Sequence, residues 1–141
     1  MFRMVPLKRR NLVITTIADD LDTLLGLTTY LGSRVQQVRV VPMLRRASVG
    51  LASSDAVLFY PDDFPQYATR QFLRRLRTSV SQFLVLIVTS CPERYQALNV
   101  ASATSDRFIV LRSPAWPWEL YATIHATLRA SLVRRPSAVP C

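Results

Sequence analysis

The stretch Ala56-Val-Leu-Phe-Tyr-Pro-Asp-Asp-Phe-Pro65 decides how the chain is read. Ala56 to Phe59 is continuously apolar, the pattern of a strand buried on both faces. The run breaks at Tyr60-Pro61, presents Asp62 and Asp63, and restarts as a helix near Pro65. An apolar run that stops at a proline-acid turn predicts a central parallel strand with a loop at its carboxyl end. In open α/β sheets that end is where sites are built.

Outward from this stretch, strands and helices alternate. Asn11 to Ala18 is rich in β-branched residues and predicts the first strand, with Asp19, Asp20 and Asp22 just beyond its end. Leu21, Leu24, Leu25, Thr28 and Leu31 recur at helical spacing up to Gly32, where glycine is expected to end a helix. Val35 to Val41, with polar Gln36, Gln37 and Arg39, predicts an edge strand, and Pro42 to about Ala52 a short helix.

Downstream, Pro65 to Val80 predicts the clearest helix. Phe72, Leu73, Leu76 and Val80 form one face, and Arg70, Arg74 and Arg77 the opposite one. Phe83 to Val88 is apolar throughout and predicts a second central strand. A weaker helix is expected over Pro92 to Ala103, where Asn99 and Ser102 lower the propensity. Arg107 to Leu111 predicts the fifth strand, and Pro117 to about Val133 a last helix with Leu120, Tyr121, Ile124, Leu128 and Leu132 inward.

Strict alternation with short loops implies right-handed crossovers and a parallel five-stranded sheet covered on both faces. Acidic turns after the first and third strands suggest the order 2-1-3-4-5, which brings those turns together at the switch point. The expected organisation is a basic lead-in over residues 1–10, a single flavodoxin-like α/β domain over 11–134 and a tail over 135–141.

The chain has 141 residues, half of them hydrophobic, enough for one domain with a sizeable core. Lys+Arg number 18 against 9 Asp+Glu, a net charge of +9, and only Lys8 is lysine. This charge favours anionic partners without specifying one. Cys91 and Cys141 form neither a disulfide framework nor a metal-ligand cluster, so a reducing cytoplasm is expected. No apolar stretch is long enough to span a bilayer, and Asp19-Asp20 after an interrupted apolar run argues against a signal peptide.

Several short motifs, in this order, resemble the bacterial response-regulator receiver domain. They are Asp19-Asp20 after the first strand, PDDFP over residues 61–65, FLRRLR over 72–77, VTS over 88–90 and SPAWPWEL over 113–120. The resemblance covers about Asn11 to Val133. It implies a Mg²⁺-assisted phosphoryl transfer to an Asp ending the third strand. A hydroxyl after the fourth strand and a Lys before the proline after the fifth would then contact the phosphoryl group.

Here Asp19 and Asp20 match the acid pair and Thr89 matches the hydroxyl, but Tyr60 or Pro61 holds the acceptor position and Ser113 the lysine position. Arg112 could replace that lysine only through a displaced loop, and the family's switch aromatic aligns with Val110. The resemblance is therefore to a degenerate, pseudo-receiver form that has lost the phosphotransfer chemistry, with no catalytic residue, no metal and no cofactor expected.

The residues also admit plainer roles. Asp20 or Asp19 is expected to cap the first helix rather than hold a metal. Asp62 and Asp63 are expected to form a solvated turn that caps the next helix. Trp116 and Trp118 are expected to cover the sheet end, and would be a partner anchor if exposed. His125 is read as a helix-side histidine.

The favoured function is a phosphorylation-independent protein-interaction module. An acidic protein partner would meet Arg70, Arg74 and Arg77 or the Trp116 and Trp118 side, and a homodimer stays open. The alternatives are nucleic-acid binding through arginines and a true phospho-acceptor receiver using Asp62.

Overall fold

The computed structural model describes residues 12–42, 51–78, 83–96 and 108–138. Five strands form one sheet: β1 (Val13–Ile17), β2 (Gln37–Val41), β3 (Ala56–Phe59), β4 (Leu84–Thr89) and β5 (Phe108–Arg112). Their order is β2-β1-β3-β4-β5, and every pairing is parallel. The registers join Ile14 to Ala56, Ala56 to Leu84, and Val85 to Phe108. This is the expected flavodoxin-like sheet, with β1 and β3 adjacent so that their carboxyl ends meet.

Alternation along the strands divides the core into two layers. Ile17, Val57, Phe59, Val85, Ile87 and Phe108 face one side, where α2 (Gln66–Thr78) packs through Phe72, Leu73 and Leu76. Phe59 is the hub of this layer. Its ring meets Phe72 edge-on at 5.0 Å and stacks with Phe64 at 6.2 Å. Ile14, Ala56, Leu58, Leu84, Leu86 and Val88 face the other side, covered by α1 (Leu21–Leu31) through Leu27 and Leu31 and by α3 (Pro117–Ala138) through Leu120 and Ile124. Every residue of β3 and β4 is buried, whereas β2 and β5 are partly exposed, as edge strands are.

Local details differ from the sequence reading. The stripe read on α1 is rotated: Leu27 and Leu31 are buried, while Leu21 and Leu25 are 69% and 58% exposed. Gly32 does end α1, but in right-handed geometry (φ −57°); glycine fits because a Cβ there would lie 2.7 Å from the Thr28 carbonyl. The helix expected from Pro92 begins as a single 3-10 turn, Pro92–Arg94, closed by the Tyr95 N–H on the Pro92 carbonyl. The rest of that helix, most of the one expected over 42–52, and the lead-in lie outside the described residues. Helix α3 continues through Ala138, into what the sequence suggested as a tail.

Candidate functional site

Parallel strands place their carboxyl ends together, so the segments after β1, β3, β4 and β5 converge. After β1, Asp20 is the N-cap of α1: its Oδ2 accepts from the Thr23 amide at 2.9 Å and the Thr23 hydroxyl at 2.8 Å. These bonds hold its carboxyl below the usual carboxylate range. The expected capping role is what the geometry gives it.

After β3 the chain makes a 3-10 turn over Pro61–Asp63 that aims two carboxylates sideways in opposite directions. Asp62 reaches toward β4. Its Oδ1 accepts from the Thr89 hydroxyl at 2.7 Å, and its Oδ2 accepts from the Ser90 amide at 2.8 Å and the Ser90 hydroxyl at 3.0 Å. Asp63 reaches toward β1, where its Oδ2 accepts from the amides of Asp19 at 2.9 Å and Asp20 at 3.2 Å. Asp62 is exposed and Asp63 half-buried, as the expected solvated turn would leave them, but these bonds go to the neighbouring loops and not to α2. The two aspartates fasten the β3 turn to the neighbouring loops on both sides. Amides freed where parallel strands end need acceptors, and these carboxylates supply them.

The electrostatics follow. Burial raises the Asp62 carboxyl, but the Ser90 amide, the Thr89 and Ser90 hydroxyls and the charge of Arg94 outweigh it, leaving it below its ordinary value. Tyr60, at the end of β3, packs against the α1–α3 layer. Burial, aided by the nearby Asp63 charge, pushes its phenol above the ordinary range and keeps it neutral. Pro61 is buried and has no ionisable group. Neither Tyr60 nor Pro61 carries a carboxylate.

After β5, Ser113 joins Pro114 by a cis peptide, and its amide donates to the Thr89 carbonyl at 2.8 Å. Arg112, the last residue of β5, turns toward the segment after β4. Its guanidinium donates to the Ser90 carbonyl at 3.3 Å and pairs with Glu93 at 3.1 Å. Among the described residues, no cluster of His, Cys, Asp or Glu could hold a metal ion, and no helix is long and apolar enough to cross a membrane.

Trp116 and Trp118 do not cover the sheet end as favoured from sequence; they are 55% and 52% exposed. Their indoles stack on one another at 5.2 Å, nearly parallel at 3°, and Trp118 meets Tyr30 of α1 edge-on at 6.1 Å. Glu119 fixes their start of α3 by accepting from the Trp116 amide at 2.8 Å. On the opposite side of the sheet, Arg70 and Arg74 are exposed along α2. Arg77 lies on the same helix, with its side chain outside the described residues. The structure thus brings Asp19, Asp20, Tyr60, Asp62, Thr89 and Ser113 to one end of the sheet and leaves the arginines apart from them.

Sequence reasoning missed Ser90, which gives Asp62 two of its three bonds, and missed Tyr30 and Arg34. The signal for the last two was their spacing of four across the end of α1, where Arg34, three residues past the helix, reaches back to Tyr30. The guanidinium of Arg34 lies 3.8 Å from the Tyr30 ring centroid.

The fold recurs in solved structures. A chemotaxis response regulator, CheY4 of Vibrio cholerae, superposes with a TM-score of 0.65 at 18% identity, covering 83% of this chain and 98% of that one. The chain has the receiver-domain fold. The anti-anti-sigma factor PhyR from Bartonella quintana superposes with a TM-score of 0.63 at 17% identity, over 92% of this chain and 52% of that chain, so the receiver fold described here spans about half of that protein. No protein-family model matches the sequence, and neither does any curated protein sequence.

Proposed function

We propose that this receiver-fold chain is a signalling module that binds a protein partner without being phosphorylated and without catalysing a reaction. The observation that carries the reading is the state of the two carboxylates in the β3 turn. By the receiver resemblance the acceptor position falls on Tyr60 or Pro61, and the nearby Asp62 and Asp63 both accept from donors of adjacent loops. An activated carboxylate nucleophile needs a free oxygen facing its electrophile. Asp62 accepts from Thr89 through Oδ1 and from Ser90 through Oδ2, so Thr89, the hydroxyl that the resemblance assigns to phosphoryl contact, is already bonded within the chain.

With the sheet end fastened, the surface offered to a partner does not depend on a phosphoryl switch. The exposed arginines of α2 and the net charge of +9 favour an acidic protein. Incubation with Mg²⁺ and acetyl phosphate followed by intact-mass measurement tests the phosphate-independent part: the mass should stay unchanged. Gain of a phosphoryl group that disappears in Asp62→Asn would make Asp62 the acceptor and end this reading.

A further inference from the structure

Among the described residues, four of the six large hydrophobic side chains that stand exposed gather on one face: Leu21 and Leu25 on α1, Trp116 and Trp118 at the start of α3. Between them runs a groove lined by Leu25, Gly26, Tyr30, Arg34, Pro117 and Trp118. It is continuous, through Gly26 and Trp116, with a cleft that Asp22 lines at the sheet end. Contiguous exposed apolar surface of this kind marks an interaction site.

The charges on this face select the occupant. The chain as a whole is strongly basic, but here Asp22 stands at one end, Arg34 at the other, and Glu119 beside the indoles. An acidic partner would meet two carboxylates, and a basic one would meet Arg34. A surface with opposite charges at its two ends is complementary to itself under a two-fold rotation, which sets residue i against j and j against i. Asp22 stands in the first turn of α1 and Arg34 three residues past its last residue, Leu31, so the length of α1 separates the two charges.

Gly26 supplies an independent reason. A glycine inside a helix is less favourable than an alanine. A Cβ built at Gly26 meets nothing within 4 Å, so packing within the chain does not call for glycine there. Close approach by a second helix would.

We propose that the groove between α1 and the start of α3 is seated by the same face of a second copy of this chain. The α1 helices cross antiparallel near Gly26, with Asp22 of each protomer opposite Arg34 of its partner and the Trp116–Trp118 stack closing the apolar centre.

The full chain tests this by sedimentation equilibrium at physiological ionic strength, with thermal melts at low concentration alongside. A concentration-dependent dimer is expected. Gly26→Ala should weaken it at least tenfold while raising or preserving the melting temperature of the dilute chain, because alanine is the better helix former. Asp22→Arg and Arg34→Glu should each weaken the dimer, and the double exchange should restore it to within a few-fold of the parent. A monomer at every concentration overturns the proposal and assigns the face to a different protein. So does a dimer that Gly26→Ala leaves unchanged, or a double exchange no tighter than the single variants.

Discussion

The carboxylate of Asp62 lies 2.7 Å from the hydroxyl of Thr89, bridging the turn after β3 to the end of β4. The two residues are 27 positions apart in sequence but neighbours at the carboxyl end of the two central strands. Together with the bonds from Ser90, this contact makes the β3 turn part of the sheet rather than a free loop.

An ordinary surface substitution changes stability by only a few tenths of a kcal/mol. The structure predicts more. An asparagine can keep the bond from Thr89 but then turns an NH₂ donor toward the Ser90 amide. Loss of a charge-assisted pair at a partly exposed site should cost about 1–2 kcal/mol. Urea denaturation of the variant and the parent measures it, and a difference below about 0.5 kcal/mol would contradict the fastened turn.

The same contact sets a pH dependence. The Asp62 carboxyl is held below its ordinary value of 3.8 in the folded chain. A depressed folded-state pKa contributes stability that is complete above the unfolded value and is lost as pH falls through the folded one. Parent and Asp62→Asn should therefore differ most at neutral pH and converge below about pH 4. Denaturation midpoints measured across that range check the sign; a gap that widens in acid would refute it.

Asp20 distinguishes a cap from a metal ligand. Asp20→Asn keeps the side-chain oxygen that the Thr23 amide needs and should be nearly silent, whereas Asp20→Ala should cost about 1 kcal/mol. Calorimetric titration with Mg²⁺ should show no tight site in the parent, since the cation needs a fuller oxygen set than Asp19 and Asp20 provide. A micromolar site lost in Asp20→Asn would reverse the assignment.

Within β1, Thr16 is fully buried, and its hydroxyl finds no hydrogen-bond partner among the described residues. Thr16→Val replaces an unsatisfied hydroxyl by a methyl of the same shape on a β-branched residue suited to a strand. It should stabilise the chain by about 1 kcal/mol, seen as a higher denaturation midpoint.

How much of this was legible in the sequence depended on whether a residue's fate was local. The fully apolar runs at Val57 to Phe59 and Leu84 to Val88 fixed two central strands, because only a strand buried on both faces tolerates such runs. The Asp20 cap was readable because its partner, Thr23, is three residues away. The partners of Asp62 and Asp63 were not, since they belong to loops after β4 and β1 that only the sheet order brings near. The stripe on α1 was misjudged for a related reason. It has more leucines than it can bury, and the sheet and α3 choose Leu27 and Leu31 while Leu21 and Leu25 stay out. Likewise, SPAWPWEL pointed to the turn and the start of α3, but whether its indoles turn inward or outward depends on the room left beside Tyr30.

The arginine face carries the last prediction. Arg70 and Arg74 are exposed on α2, on the far side of the sheet from the indoles, and Arg77 shares the helix. Their neighbours Phe72, Leu73 and Leu76 are buried, so the helix stays anchored through its apolar side when its outer charges change. Charge reversal at Arg70, Arg74 and Arg77 should leave the fold intact. It removes the steering of an acidic partner, and steering acts mainly on the association rate and weakens with salt. The triple glutamate variant should bind a copurifying partner at least tenfold more slowly at low salt, with the gap narrowing as salt rises, and with little change in dissociation. Asp62→Asn is the control. It is less stable but carries the same outer surface, so below its melting temperature it should bind at the parent's rate. Surface-plasmon measurements on both variants, with circular dichroism to check folding, separate the two roles. A normal arginine variant beside a dead Asp62→Asn would move the functional surface from α2 to the sheet end.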